Sequence, residues 1–137
     1  MSFTADLSRF WAMTDKRLEK TIVESVKDVL TDMQTKALGV TAGGTLTVGR
    51  IPYVSTDLVT SLTFTVGGST HVGQFSYGTA MDTYDLGDGI EFFWDQPYAN
   101  YIENGDEKFP GWHFIKTNAA NWPDIVLDNA RRTRNRK

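Results

Sequence analysis

Apolar residues recur at intervals of three and four across residues 3–38, at Leu7, Phe10, Trp11, Leu18, Ile22, Val26, Val29, Leu30, Met33 and Ala37. That spacing predicts one long amphipathic helix. Such a helix is roughly 50 Å long at 1.5 Å per residue, more than a domain of this size needs for its own core. Part of it is then free to pack on a neighbour; the plainer reading has one face covering a sheet and the rest solvated. Ser2 or Thr4 offers a cap at its start, and Gly39 marks its end. Residues 41–49, rich in Gly and Thr, read as a loop.

Beyond the loop the period changes. Ser55 or Thr56 can cap a helical turn through Leu62, and residues 63–66 alternate as a strand that stops at Gly67-Gly68. A hairpin comes next, with His71, Gly73 and Phe75 alternating against Thr70, Val72 and Gln74 in the return strand. Residues 77–89 read as a long polar crossing into a buried strand at Ile90, Phe92, Phe93 and Trp94. Pro97 suits the first turn of a short helix carrying Tyr98, Tyr101 and Ile102 on one face, and Gly105 supplies the positive φ that closes it. The last helix spans residues 114–134, with Ile115, Ala119, Trp122, Ile125, Val126, Asn129 and Ala130 inward and Pro123 either kinking it or starting a second segment. The expected fold is α+β: a long N-terminal and a C-terminal helix packed on a small antiparallel sheet of three or four strands.

At 137 residues the chain is expected to form a single domain, residues 1–130, followed by a basic tail, residues 131–137. Arg131, Arg132, Arg134, Arg136 and Lys137 place +5 in that tail, which leaves −8 on the preceding 130 residues and a net charge of −3. A basic tail on an acidic body opens one reading as a small nucleic-acid-binding protein, the tail seeking phosphate. The body charge opposes it. With no cysteine, thiolate chemistry and disulfides are excluded, in keeping with assembly in a reducing cytoplasm. No apolar run approaches the ~20 residues that span a bilayer, so no membrane segment is expected.

Catalytic patterns are missing. His71 and His113 have no third ligand at metal-site spacing, the serines lack the glycines of a nucleophile elbow, and Gly43 to Arg50 lacks the Lys-Ser/Thr of a phosphate loop. Carboxylate pairs such as Asp88 with Glu91, or Glu103 with Asp106, read as a solvated acidic face rather than a glycosidase pair. No enzyme, cofactor or metal is expected.

One resemblance remains. The run Tyr98-Ala99-Asn100-Tyr101-Ile102-Glu103-Asn104-Gly105, the Gly-aromatic loop after it and a helix containing Asn121-Trp122-Pro123-Asp124-Ile125-Val126 resemble the neck, or tail-completion, proteins of long-tailed bacteriophages. Upstream, Ile51-Pro52-Tyr53-Val54-Ser55-Thr56-Asp57-Leu58-Val59-Thr60-Ser61-Leu62 resembles that family's Pro-Val-Asp-Thr-Gly-x-Leu-x-x-Ser-Leu segment, with Asp57 where the family usually has Gly. The resemblance covers residues 51–132. It implies a non-enzymatic structural subunit of a homo-oligomeric ring at the head-tail junction of the virion. The implied partners are other neck and tail proteins: a head-closure ring, a tail terminator or a tail tube. DNA would pass through the ring without sequence-specific binding.

On that reading Tyr98, Tyr101, Glu103, Arg131, Arg132 and Arg134 are the candidate subunit contacts. Glu103 is expected to project toward the end of its helix and pair with a basic residue across the boundary, or else to be an ordinary surface acid. Asp82, Asp85, Asp88, Glu91 and Asp95 are the candidate channel wall, because carboxylates repel passing phosphates.

Overall fold

The computed structural model describes residues 15–53 and 57–135, the side chains of the last two excepted. Element α1 runs Asp15–Met33, and Leu18, Ile22, Val26, Val29 and Met33 are its buried stripe. The portion of the expected helix before Asp15, with its Ser2 or Thr4 cap, and the Ser55 or Thr56 cap lie outside the described residues.

The helix ends at Met33 and not near Gly39. Gln34 is buried and its side chain is fully engaged: Nε2 donates to the carbonyls of Val59 and Gln74 at 2.9 Å, and Oε1 accepts from Trp94 Nε1 at 2.9 Å. The backbone beyond it pairs in parallel, β1 (Lys36–Leu38) with β2 (Ile51–Tyr53). Between them lie a 3₁₀ turn, Val40–Ala42, and the expected loop.

After α2 (Asp57–Thr60) comes a three-stranded antiparallel sheet in the order β4-β3-β5, with β3 (Leu62–Val66) central, β4 Ser69–Val72 and β5 Ile90–Trp94. The β3–β4 turn is Gly67-Gly68 with φ of 56° and 85°, both positive as a tight hairpin matching the strand twist requires. Register places Leu62 opposite Trp94, Phe64 opposite Phe92 and Val66 opposite Ile90. These six form the inner face. Phe64 stacks on Phe92 with centroids 6.1 Å apart, Phe92 meets Trp94 edge-on at 6.0 Å, and Trp94 meets Phe114 edge-on at 5.0 Å. The outer face carries Thr65 and Thr70, whose hydroxyls share a hydrogen bond of 3.0 Å.

Two sequence expectations are corrected here. The return strand stops at Val72 rather than Phe75, and the crossing to β5 holds a helix, α3 (Ser76–Met81), which buries Tyr77, Ala80 and Met81. Apolar residues at intervals of three and four, Tyr77, Ala80, Met81 and Tyr84, make this segment part of the core.

The C-terminal part divides at Pro123 into α5 (Lys116–Ala119) and α6 (Trp122–Asn135). Proline sits in the first turn of α6, where its lack of an N–H leaves no bond unmade. The helix continues to Asn135, so residues 131–135 are not a free tail. A polar seam holds α6 on α1. Thr133, only 5% exposed, shares a hydrogen bond of 3.0 Å with Thr21, Asn129 Nδ2 donates to Asp28 at 2.9 Å and to Ser25 at 3.2 Å, and Arg17 donates to the Ala130 carbonyl at 3.1 Å. Truncation after Ala130 is therefore expected to cost about 1–3 kcal/mol in urea unfolding, in the range of a buried polar contact with its helical turn removed. A loss within ~0.5 kcal/mol, the size of a surface change, would show that the seam past Asn129 contributes nothing.

An apolar groove built on the clasp of Glu103

Helix α4 (Ala99–Asn104) is short, and its position is set by the turn at its C-terminal end. Gly105 has φ 68° and ψ −160°, a region essentially restricted to glycine. Its N–H bonds the Tyr101 carbonyl at 2.7 Å. A side-chain carbon at this position would collide with the Phe109 carbonyl oxygen and stand 2.6 Å from the Gly111 nitrogen. The chain then turns on Asp106, whose Oδ1 accepts the N–H groups of Lys108 and Phe109 at 2.8 Å each. On returning, Trp112 N donates to the Ile102 carbonyl at 2.8 Å and His113 N to the Glu103 carbonyl at 3.0 Å. The Ile102 and Glu103 carbonyls, two of those that a helix end leaves without a partner, are thus satisfied. Gly105→Ala is expected to cost about 2–3 kcal/mol from the strained dihedral and the backbone collision. An unchanged urea midpoint would mean that the loop moves aside freely.

Glu103 closes the clasp. It was expected at the surface, but it is 0% exposed, with Oε1 accepting from Ile115 N and Oε2 from Lys116 N, each at 2.8 Å. The carboxyl therefore caps the start of α5 from 12 residues away in sequence. It has no face left for a partner subunit, which removes it from the candidate contacts. One turn further, Asn118 Nδ2 donates to the carbonyls of Phe114 at 2.7 Å and Gly49 at 2.9 Å, and Gly49 N donates to the Trp112 carbonyl at 2.8 Å. The Gly-rich loop is pinned to the clasp by these bonds.

Outside the clasp lies a mostly apolar groove of about 430 Å³. It is lined by Tyr98, just before α4, by Tyr101 and Ile102 of α4, by Phe109 and Trp112 of the returning loop, and by Val40, Pro52 and Leu58. Tyr101 stacks on Phe109 at 5.1 Å. Tyr98 and Tyr101 are 42% and 45% exposed, so two of the candidate contact residues stand together at the rim. Burial, and then the nearby Asp57 charge, push the Tyr98 phenol up.

The arginine candidates lie elsewhere. Arg131 and Arg132 are exposed on α6; Arg132 shares a shallow polar depression with Asp28, Asp32 and Asp128. Burial, and then the charge of Asp28, push the Asp32 carboxyl above the usual carboxylate range, and Arg50 pulls it the other way. The side chain of Arg134 lies outside the described residues.

The acids of the candidate wall are not gathered in one cluster. Asp82 follows α3 and pairs with Lys27 of α1 at 2.9 Å. Asp88 is half-buried and accepts the Asp85 N–H at 3.0 Å, forming the turn into β5. Asp85 is exposed beside it, Glu91 is exposed on the outer sheet face, and Asp95 is exposed past the other end of β5. His71 lies on β4 opposite Phe64, and His113 has φ 49° with its Nδ1 buried and unbonded. Among the described residues no three acidic or histidine side chains are grouped so as to hold a metal ion, and no described helix is long and apolar enough to cross a membrane.

Sequence reasoning missed the burial of Glu103 and the inclusion of the Pro52 strand in the groove. A signal for the first was present: Glu103 stands four residues after Ala99, on the face that this short helix turns inward. Comparison with known proteins finds no matching family model, no matching curated protein and no matching solved structure.

Proposed function

We propose that this chain is a structural protein of a bacteriophage neck, a ring subunit that completes the tail and joins it to the head around the DNA channel. The observation that carries this reading is a convergence. The upstream and central segments on which the resemblance rests are some 40 residues apart in sequence, and both line one apolar groove, Pro52 and Leu58 together with Tyr98, Tyr101 and Ile102. A rigidly clasped apolar surface with exposed tyrosines suits recognition of another protein, where aromatic residues are enriched. In this reading Tyr98 and Tyr101 contact a neighbouring subunit, head-closure ring, tail terminator or tail tube. The exposed acids Asp82, Asp85, Glu91 and Asp95 are the residues available to a DNA channel, and they keep phosphates from adhering.

The nucleic-acid-binding alternative rests on Arg131 and Arg132. Arg132 lies among three aspartates of its own subunit, which lowers the local positive potential and weakens that reading.

Deleting the coding sequence from a phage that carries it tests the assignment. Filled heads and completed tails should accumulate unjoined in negative-stain images, and gold labelling of the protein should mark the junction in the parent virion. Joined, infectious particles lacking the protein would overturn the assignment. Duplex DNA binding that is lost with Arg131→Ala and Arg132→Ala, together with absence from virions, would establish the alternative.

A further inference from the structure

We propose that the groove beside Tyr98 and Tyr101 receives the aromatic stripe Phe3, Leu7, Phe10 and Trp11 of a neighbouring copy of this chain, a head-to-tail contact. The acceptor is unsatisfied as it stands. Val40, Tyr98 and Tyr101 are 53%, 42% and 45% exposed around a mostly apolar depression of about 430 Å³, within the size range of pockets that bury a ligand. Its walls are fixed by the Gly105 turn and the Glu103 clasp, so little ordering is needed on binding.

The donor is written in the sequence outside the described residues. Phe3, Leu7, Phe10 and Trp11 are spaced by four, three and one, which on a 3.6-residue period confines them to an arc of about 100°. Asp6 and Arg9 fall off that arc. This is the pattern of anchors with which an amphipathic helix enters an apolar groove.

Reach decides which copy supplies the stripe. Helix α1 has 19 residues and so is about 28 Å long. The segment precedes Asp15, while the groove lies by the opposite end of the helix, where Gln34, next after Met33, donates to the carbonyl of Val59, the neighbour of the groove residue Leu58. Residues 1–14 in helical form extend about 21 Å. A stripe hinged at Asp15 therefore falls short of its own groove, and the groove of another copy takes it. A donor stripe and an acceptor groove made of different residues form a heterologous contact, which propagates and closes into a ring if the rotation per subunit allows. The inference stands on these residues whether or not the neck assignment does.

Sedimentation velocity of the full-length chain and two point variants tests it. The mean mass of the parent should rise with concentration. Phe10→Asp, which spoils the donor, and Val40→Asp, which spoils the acceptor, should each weaken association ~10-fold or more, as a charge in an apolar contact does. Both should keep the parent's far-ultraviolet spectrum and melting temperature; Tyr101→Asp replaces Val40→Asp if that variant does not. Mixed together, the two variants retain one intact donor and one intact acceptor, and the mixture should form a dimer and nothing larger. A mixture that stays monomeric, or a parent that never associates, overturns the proposal, as does association unchanged by either substitution. Failure of virion localisation with the mixing result intact would remove the neck reading alone.

Discussion

Glu103→Ala is expected to lower stability by about 3–4 kcal/mol in urea unfolding, with the m-value unchanged. Two backbone donors, Ile115 N and Lys116 N, lose their acceptors at 2.8 Å, and each orphaned buried N–H costs about 1–3 kcal/mol. Lys116 is exposed, so water recovers part of its loss; Ile115 is 6% exposed and has no such relief. Glu103→Gln separates the hydrogen bonds from the volume. The amide fills the same space but has one oxygen, and its NH₂ must face the second N–H, so about 2–3 kcal/mol should still be lost. A further consequence is local: with α5 uncapped, Asn118 no longer holds the Gly49 carbonyl in place, and the groove wall loosens. If Glu103→Gln unfolds at the parent's midpoint, one oxygen suffices and the clasp is weaker than its geometry implies.

The antiparallel sheet was legible because its strands obey one simple rule. Phe64 and Val66 alternate with Thr63 and Thr65, Ile90 to Trp94 is a short apolar run broken at Glu91, and Gly67-Gly68 favours a tight turn. The two helices at the ends, packed on that sheet, were legible for the same reason, although the start of the first lies outside the described residues. What was not legible was tertiary. The β1–β2 pair is three residues long in each strand and includes Pro52, so no alternation marks it. Helix α3 carries Gly78 and polar neighbours, which mask the spacing of Tyr77, Ala80 and Met81. The extent of the last helix was legible, but Arg131 and Arg132 look like part of a solvated tail, whereas Thr133 next to them meets Thr21 from 112 residues away. Polar residues at matched intervals, Thr21 and Ser25 against Asn129 and Thr133, are the trace that such a seam leaves in a sequence. Of the candidate contacts, Tyr98 and Tyr101 come together at one rim, and Glu103 turns inward because a buried backbone end needs it.

Trp94→Ala should be the most destabilising single change in the sheet, costing about 4–5 kcal/mol. Removing a buried aromatic ring costs about 3–5 kcal/mol through lost transfer energy and the cavity left behind, and this ring is only 3% exposed and touches both Phe92 and Phe114 edge-on. The second part of the loss is polar. Trp94 Nε1 is the donor to Gln34 Oε1 at 2.9 Å, and without it a buried carbonyl has no partner, a penalty of about 1–3 kcal/mol. Trp94→Phe tests that second part with most of the ring retained, and should cost about 2 kcal/mol. Gln34→Leu in the Trp94→Phe background then removes the orphaned oxygen, but it also surrenders the two bonds from Nε2 to the Val59 and Gln74 carbonyls. The double variant should accordingly be less stable than Trp94→Phe alone, because Gln34 joins α1, α2, β5 and the segment before α3 at one point. A double variant more stable than Trp94→Phe would mean that the orphaned Oε1 dominates and that the two carbonyls find water. In that case the end of α1 is held by packing of Met33 and Leu30, and the polar bolt at Gln34 is dispensable.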